Sequence, residues 1–552
     1  MYKKSLSKII AVFTAVCCIS SIGYTSANAA VIDDEFESVT KNGDQGISCY
    51  ATTELPQSYS SRELGFVTDI KRQEYNDCWV YAGMSTFETK LLSMGINTGE
   101  MSIEHLNIWA TKRANGKGWQ RSRTNDGYPN IPVGYLTSWQ GGIEKSDVAD
   151  IDFSDVNLMG DDIPTDRIKY GTTAVRYLST YNMNEIKQAI IDNGAVFTSY
   201  ATANSCYGAS NTTYFMPQSY SGSYAGHSVE IVGWDDSYPL KRFNGSIGQK
   251  PQKNGAWLVR NSWGDYNSLG GYFWISYEDK YIFGSKYDPS FTIEQVEQVD
   301  EKTMLLQNEI YGATYSFKYL ANDEITYINR FNFEKDYKTL DKVVFETKST
   351  GADYQIYYIP TVDNSPTNDK SKWVLLDSGV VNYSGYICCD INNLQINDTN
   401  GSIGVTINTS EINQGLSPKD ENYTSNNVGV GEWLVKSDQT YAFINETQNN
   451  QSYLCVGNDM TEIKDWYKTN LDDDLGGTLV IKAIMKKNEA ATLLGDVNLD
   501  GNVDIKDATE IQKYAVELVK LDNVQFANAD LNGDGTVNIS DATEIQKKII
   551  ND

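Results

Sequence analysis

The chain has 552 residues, a formal net charge of −27 at neutral pH and a hydrophobic fraction of 40%. It is too long for one ordinary domain, so we expect two to four folding units. The negative charge argues against nucleic acid and anionic membrane surfaces as partners, because polyanions repel one another.

The first thirty residues have the composition of a secretory signal peptide. Lysines precede an apolar stretch that ends in the small-residue sequence ANA. We therefore predict cleavage after Ala29 and export, with residues 30–52 as a short pro-segment or linker. No later segment approaches the roughly 20 apolar residues that span a bilayer, so no membrane span is expected.

Residues 53–285 show a mixed pattern. Helical periodicity marks CWVYAGMSTFETKLLSMG and NMNEIKQAIIDNG, whereas AVFTSYA, HSVEIVGW, GAWLVRNSW and GYFWISYED are short apolar runs typical of strands. We predict an α+β domain for this part of the chain.

Cys78 in this region has the features of a nucleophile. It stands immediately before a helical stretch, and a helix N-terminus favours thiolate over thiol. Nucleophilic catalysis also needs a base and a group that orients the base. His227, one of only two histidines, and Asn261 are suitable residue types on later strands. Gln73 could donate to an oxyanion together with the Cys78 amide.

These segments resemble the papain family of cysteine peptidases. His227 follows Cys78 by about 149 residues, inside the window of roughly 130 to 150 typical of that family, and GHSVEIVGW and NSWG match its histidine and asparagine segments. The resemblance implies a two-lobed fold, with a helical lobe and a β-barrel lobe. It also implies Cys78 as nucleophile, His227 as base and acid, Asn261 as its orienting group, Gln73 as oxyanion donor and Trp263 as a shield.

The sequence departs from the family pattern before Cys78. The segment QEYNDCW is one residue shorter than usual, and Asp77 places an acid next to the thiol, where it would oppose ionisation. Two functions therefore remain open. The chain is either a cysteine endopeptidase, with hydrolysis and acyl transfer undecided, or a degenerate papain-like binding or inhibitory module. His105 is interpreted as structural, and the remaining cysteines, without CxxC pairs, indicate neither a disulfide framework nor a zinc ribbon.

Residues 286–489 are rich in strand patterns and nearly free of helical ones. The runs TLDKVVFETKS, DYQIYYIP, KWVLLDSGVV, GSIGVTI, QTYAFIN and GGTLVIKAIM predict an all-β sandwich. The region resembles the lectin-like sandwich that follows the peptidase in some bacterial papain relatives. That resemblance implies carbohydrate as a partner, with packing against the peptidase or substrate presentation as open alternatives.

Residues 490–552 contain an internal repeat in which the sequence DATEIQK occurs twice. In each copy oxygen-bearing residues recur at the spacing of a Ca²⁺ loop, with glycine at the sharp turn. The predicted ligands are Asp496, Asn498, Asp500, Asn502, Asp504 and Asp507 in the first loop, and Asp530, Asn532, Asp534, Thr536, Asn538 and Asp541 in the second. Position 12 is Asp rather than Glu, and the pattern shows no helix before either loop.

A loop followed by a helix, twice, resembles a dockerin, the small α-helical module that docks enzymes onto a cohesin of a cellulosomal scaffoldin. The resemblance implies two Ca²⁺ ions, an extracellular location on a cellulosome and cargo that most often attacks plant polysaccharide. No cofactor is expected for catalysis. The residues at partner-selecting places are Ile505, Lys506, Gln512, Lys513, Ile539, Ser540, Gln546 and Lys547.

Overall fold

The fold is known from a computed structural model. It describes residues 55–112, 118–119, 121–153, 163, 165–178, 182–283, 289–313, 315–319, 325–414, 424–431, 451–471, 477–487, 493–516, 518–521 and 523–551. The predicted signal peptide and pro-segment lie outside these residues. The chain divides into two compact units, and the second contains the C-terminal repeat.

In the described part of the first unit, four helices lie in the peptidase region and one lies near the end of the sandwich region. They are α1 (Cys78–Ser93), α2 (Ile103–Trp109), α3 (Asn130–Thr137), α4 (Met183–Asn193) and α5 (Ile463–Leu471). The two predicted helices correspond to α1 and α4. Asn182 caps α4 with its side chain, and Gly194 ends it with a φ of 86°, a conformation that glycine adopts without strain.

Strands dominate the rest of the first unit. In the peptidase region they are β1 (Ser58–Ser60), β2 (Tyr170–Leu178), β3 (Val196–Thr202), β4 (Thr213–Tyr214), β5 (Ala225–Asp235), β6 (Ala256–Arg260), β7 (Tyr272–Ser276) and β8 (Ser290–Gln298). The strands that follow are β9 (Thr303–Leu306), β10 (Tyr315–Tyr319), β11 (Ile325–Asn332), β12 (Thr339–Thr347), β13 (Asp353–Ile359), β14 (Thr361–Val362), β15 (Ser365–Pro366), β16 (Val374–Val380), β17 (Gly385–Gln395), β18 (Asn400–Asn408), β19 (Asn426–Gly431), β20 (Ser452–Val456), β21 (Asp459–Glu462), β22 (Thr478–Leu479) and β23 (Ile481–Lys486).

One sheet runs through both the peptidase region and the sandwich. Its strand order is β4-β7-β6-β5-β3-β8-β2-β17-β12-β23-β9, with β1 paired to β5. The sheet passes from the peptidase region to the sandwich where β2 pairs antiparallel with β17. In this pair Gly385 lies opposite Arg176 and Tyr386 lies opposite Val175. Strand β8, beyond the expected boundary at 285, also pairs with β2. Backbone hydrogen bonds therefore join the peptidase to the region that follows it.

The strand-rich prediction for the second region is confirmed. A six-stranded antiparallel sheet, in the order β16-β13-β18-β11-β20-β21, is accompanied by a three-stranded sheet of β10, β19 and β22. The predicted run QTYAFIN lies outside the described residues. Helix α5 was not predicted, because its short amphipathic pattern follows strand β21 without a turn signal.

The helical lobe is built around α1, which is buried along most of its length. Trp79, Phe87 and Leu91 of this helix belong to a core that also contains Tyr135 of α3. Gly83 permits the close approach, since a Cβ there would lie 2.5 Å from Pro132. This packing fixes the helix that begins at Cys78.

A buried lysine joins the last strand of the sandwich both to Glu309 and to the end of α3. Lys482 on β23 lies 2.6 Å from Glu309, and both side chains are 1% exposed. The ammonium also donates to the Thr137 carbonyl at 3.2 Å and to Ser138 Oγ at 2.8 Å. A cation is favourable there because carbonyl groups at a helix C-terminus carry partial negative charge.

The second unit contains α6 (Ile505–Ala515), α7 (Asn523–Ala529) and α8 (Ile539–Asn551). Helices α6 and α8 each follow one of the two loops, as the internal repeat predicts. The expectation that no helix precedes either loop is wrong for the second, because α7 ends at Ala529, directly before Asp530. Its seven residues include Gln525 and Asn528, which hydrogen-bond to the carbonyls of Val497 and Asp496, so tertiary contacts stabilise a helix too short to be evident in the sequence.

Replacing Lys482 by alanine should lower the free energy of unfolding by about 3–5 kcal/mol, because Glu309 would remain charged and buried without its partner. Urea unfolding of the full chain measures the change. The double variant Lys482→Met, Glu309→Gln should recover much of the loss. Equal stability of the single variant and the parent would contradict a structural role for this pair.

Candidate active site

Cys78 occupies the first position of α1, and its sulfur receives backbone donors from two directions. The Ser228 amide donates to Cys78 Sγ at 3.4 Å, and the Trp79 amide interacts with the same sulfur. The side chain of the N-cap residue Asp77 makes no capping hydrogen bond, so it does not occupy the amide groups of the first turn. The sulfur therefore lies where backbone dipoles favour negative charge.

His227 and Asn261 form a buried hydrogen bond that fixes the tautomer of the imidazole. His227 Nε2 lies 2.8 Å from Asn261 Oδ1, which also accepts from the Ser262 amide at 2.8 Å. Asn261 Nδ2 donates to Tyr266 Oη at 3.1 Å, so the amide orientation is set on both sides. Nε2 must carry the proton, which leaves Nδ1 of the neutral ring as the acceptor.

Aromatic rings enclose this histidine. Trp263 stacks on the imidazole with ring centroids 4.8 Å apart, and Tyr200 contacts it edge-on at 5.8 Å. Tyr200 in turn packs against Tyr214 and hydrogen-bonds to Tyr207. The rings keep water from the His227 to Asn261 hydrogen bond, which strengthens it.

Gln73 is held beside Asn261 by a short antiparallel contact. Its amide donates to the Ser262 carbonyl at 2.7 Å, and its Oε1 accepts from Ser262 Oγ at 2.6 Å. Gln73 Nε2 donates to the Tyr75 carbonyl at 2.8 Å, which closes the shortened segment before Cys78. The second hydrogen on Nε2 remains available, since a primary amide carries two donors.

Burial disfavours charge on either member of the dyad taken alone. It raises the pKa of the Cys78 thiol to about 11, against the lowering effect of the Ser228 amide. Burial also lowers the pKa of His227 to about 4, although Asn261 opposes that shift. A proton transfer between the two groups must therefore create both charges together, so that each stabilises the other.

The acid at Asp77 has a compensating charge. Its Oδ2 accepts from Asn107 Nδ2 at 3.3 Å, and Asn107 Oδ1 accepts from Arg121 Nη1 at 3.0 Å. Burial raises the pKa of Asp77, and the cations Arg121 and Arg123 lower it. The carboxylate thus belongs to a buried network with Arg121, which offsets the effect on Cys78 expected from sequence.

A second buried network connects the three elements that carry the site. On α1, Thr89 donates to Glu230 of β5 at 2.6 Å, and Glu230 lies 3.2 Å from Arg260 of β6. Glu88, next to Thr89, pairs with Lys71. Glu230 is three residues after His227, and Arg260 directly precedes Asn261. These contacts set the position of the α1 helix against both strands.

Sequence reasoning missed Glu230, Arg260 and Glu88. A signal was present, because Glu230 and Arg260 interrupt apolar strand runs, and a charge in a buried strand needs a partner. His105 is structural, as expected: it is fully buried, with Nδ1 2.7 Å from Tyr135 Oη. The cysteines within the described residues are all free thiols.

The two repeat loops have the same hydrogen-bond pattern. Asp507 accepts from the amides of Val497, Asn498 and Asp504, and Asp541 accepts from the equivalent three in the second loop. Gly501 and Gly535 adopt φ values of 84° and 80° at the turn. No three acidic, histidine or cysteine side chains of the described ranges already converge on one metal position. Asparagine and carbonyl oxygens complete a donor set suited to Ca²⁺.

Three family models match the chain. "Papain family cysteine protease" matches residues 55–293, "Lectin like domain" matches 305–468 and "Dockerin type I domain" matches 494–550. Their order agrees with the peptidase, sandwich and dockerin identified in the sequence. In the described residues, no helix is long and apolar enough to cross a membrane.

Solved structures share the first two domains. A propeptide-cleaved form of the clostridial cysteine protease Cwp84 is 30% identical, covering 78% of this chain and 99% of that chain, with a TM-score of 0.67. The cysteine protease and lectin-like domains of Cwp84, a surface layer associated protein of Clostridium difficile, are 29% identical over 79% of this chain and 90% of that one, with a TM-score of 0.66. Mouse cathepsin J is 22% identical over 227 residues, and the chain spans 60% of its length.

Replacing Arg260 by methionine should lower the free energy of unfolding by about 3–5 kcal/mol, because Glu230 would stay buried without its cation. Alkylation of Cys78 should slow as well, since α1 would lose the link to β6 that runs through Glu230 and Arg260. Urea unfolding and mass spectrometry of the alkylated thiol provide the two measurements.

The matched control is Arg167→Ala, which breaks the exposed ion pair with Asp150. It should change neither quantity appreciably, since exposed pairs contribute little. A similar response from both variants would contradict a special role for the buried network.

Proposed function

Because the chain belongs to the papain family of cysteine proteases, we propose that it is an exported endopeptidase that uses Cys78, His227, Asn261 and Gln73. The observation that carries this proposal is the fixed tautomer of His227, whose protonated Nε2 is held by Asn261 at 2.8 Å. The ring then offers Nδ1 as a base to the thiol at the N-terminus of α1.

In the proposed acylation, the Cys78 proton moves to His227 Nδ1 as Sγ attacks the substrate carbonyl carbon. The carbonyl oxygen takes the electron pair and receives hydrogen bonds from the Cys78 amide and Gln73 Nε2. When this intermediate collapses, the C–N bond breaks and the amine leaves with the proton from His227. The product is a thioester on Cys78.

Deacylation repeats these steps with water. His227 takes a proton from the water as it attacks the thioester carbonyl, and the departing Cys78 sulfur recovers that proton. Hydrolysis is favoured over acyl transfer by the abundance of water, although an amine acceptor would use the same residues. The degenerate-module alternative from the sequence is disfavoured by the compensated Asp77 and by the Gln73 contacts that accommodate the short segment.

We further propose that the C-terminal unit docks the protease onto a cohesin of a cellulosomal scaffoldin in a Ca²⁺-dependent way. The dockerin match over residues 494–550 supports this partner, and the predicted signal peptide agrees with an extracellular location. The twelve oxygen-bearing residues named above would hold two ions, whose charge would offset the repulsion among the clustered carboxylates. Carbohydrate binding by the sandwich remains a proposal implied by the lectin-like match alone.

The rate of peptide hydrolysis should fall with acid through an apparent pKa near 4, not near the ordinary histidine value of about 6.5. Burial lowers the pKa of His227 to about 4, so the imidazole stays neutral and able to accept a proton at any higher pH. The pH dependence of kcat/KM for a peptide substrate measures this limb. A limb near 6.5 would contradict a buried base.

Asn261→Ala should reduce kcat/KM by about 10²-fold, because the imidazole would lose the group that orients it. The fold of the variant can be checked by its urea unfolding midpoint. An unchanged kcat/KM with an unchanged fold would contradict the role assigned to Asn261.

Chelation by EDTA should increase hydrogen exchange across residues 493–551 and abolish binding to a type I cohesin, because binding of the ions favours the folded loops. Peptide hydrolysis should be unaffected. The variant Asp507→Ala should weaken cohesin binding even with Ca²⁺, whereas Glu510→Gln, which removes an acid on α6 outside the donor set, should not. Cohesin binding that persists in EDTA would contradict the proposal.

A further inference from the structure

The turn between β6 and β7 carries a tyrosine that no step of the proposed mechanism uses. The hydroxyl oxygen of Tyr266 accepts a hydrogen bond from Asn261 Nδ2 at 3.1 Å. Asn261 is only 4% exposed, and within the described residues this nitrogen has no second acceptor. The Tyr266 hydroxyl is therefore the group that satisfies the amide nitrogen of Asn261.

The oxygen of the same amide faces the reaction centre. Asn261 Oδ1 lies 2.8 Å from His227 Nε2 and accepts from the Ser262 amide at 2.8 Å. Resonance keeps a side-chain amide planar, as it does the peptide bond, so the direction of the nitrogen fixes the direction of the oxygen. The Tyr266 hydroxyl thus restrains the angle at which Asn261 presents its oxygen to the imidazole.

The surrounding turn holds Tyr266 in place. Its backbone amide donates to the Gly264 carbonyl at 3.0 Å, and its ring packs edge-on against Trp263 with the ring centroids 5.5 Å apart. The side chain of the next residue, Asn267, donates to the Tyr272 carbonyl at 2.8 Å and so ties the turn to β7. The hydroxyl has little freedom to move away from the amide that it binds.

Tyr266 offers this acceptor without a charge. Burial raises the pKa of Tyr266 to about 12, against the lowering effect of hydrogen bonds from Asn261 and Asn267. Without the hydroxyl, Asn261 Nδ2 would be a buried donor with no acceptor, which is unfavourable. The amide would then rotate towards another acceptor, and its oxygen would leave the line to His227.

We propose that Tyr266 is a positioning residue of the peptidase, which acts through Asn261 to keep the imidazole of His227 directed at Cys78. This inference rests on the proposed peptidase function, to which it adds a residue that sequence reasoning did not select. An aromatic ring at this place can pack on Trp263, but only the hydroxyl can accept a hydrogen bond from the amide.

The first test is a double-mutant cycle on the rate at which an epoxysuccinyl probe labels Cys78. Tyr266→Phe should slow labelling roughly tenfold, because the amide that orients His227 loses its acceptor. In the Asn261→Ala background the same substitution should have no further effect, since the amide through which Tyr266 acts is absent. Equal rates in the parent and in Tyr266→Phe, or additive effects of the two substitutions, would overturn the proposal.

Two further variants separate the hydroxyl from the ring. Tyr266→Trp keeps an aromatic ring but supplies a donor where Asn261 needs an acceptor, so labelling should remain slow. Recovery of the parent rate in Tyr266→Trp would assign the effect to ring packing and overturn the proposal. Tyr277→Phe is the matched control, because it removes a hydroxyl that donates to Asp236 at 2.7 Å in the same domain. Its labelling rate and urea unfolding midpoint should equal those of the parent.

The second test observes the imidazole directly. The chain contains only two histidines, so nitrogen-15 labelling of histidine gives NMR signals from His105 and His227 alone. In the parent, His227 should carry its proton on Nε2, and that proton should exchange slowly with water. Tyr266→Phe should speed this exchange roughly tenfold and leave His105 unchanged. Exchange at the parent rate in Tyr266→Phe would contradict a positioning role.

These measurements distinguish the positioning role of Tyr266 from the peptidase function. Slower labelling and faster proton exchange in Tyr266→Phe, together with no peptide hydrolysis by the parent, would refute only the peptidase function. Peptide hydrolysis by the parent, with neither rate changed in Tyr266→Phe, would refute only the role of Tyr266.

Discussion

The ion pair between Glu230 and Arg260, with Thr89 as its third member, holds the active site together. It connects the helix that begins at Cys78 to β5, which carries His227, and to β6, which ends directly before Asn261. Charges this deeply buried tolerate little displacement, because separating them leaves each unpaired in a medium of low polarity. The relative position of thiol and imidazole, which come from distant parts of the chain, depends on this contact.

The surroundings of Cys78 and His227 have two opposing effects on the charged forms of these side chains. Burial disfavours each charge separately, as the pKa values of about 11 for Cys78 and about 4 for His227 indicate. Backbone amides of Trp79 and Ser228 and the Asn261 side chain favour the charged forms. The site is therefore suited to moving a proton between its members rather than exchanging one with solvent.

The sandwich is joined to the peptidase domain by hydrogen bonds. Strands β2 and β17 share backbone hydrogen bonds, and Lys482 binds the carbonyl end of α3. The two domains are thus continuous, which agrees with solved relatives that contain both. This continuity gives the sandwich a structural role in addition to any ligand it binds.

Much of the fold and of the candidate site could be predicted from local sequence. The α1 and α4 helices, strand β5 with His227, strand β6 and the two repeat loops have their signals in adjacent residues, such as caps, apolar runs and turn glycines. Asn261, expected on a strand, instead lies directly after the end of β6. Long-range pairing was not predictable. Three contacts join residues far apart in sequence, and no local pattern encodes them. They are the pairing of β2 with β17, the ion pair of Glu230 with Arg260, and the hydrogen bond from Asn107 that links Asp77 to Arg121.

Activation of Cys78 by His227 can be measured on purified residues 30–552 with an epoxysuccinyl probe for thiol peptidases, with the adduct located by mass spectrometry and His227→Ala as the comparison. We expect rapid labelling at Cys78 in the parent and its loss in the variant. Slow labelling spread over several cysteines, at a rate that His227→Ala does not change, would mean that the imidazole does not activate the thiol.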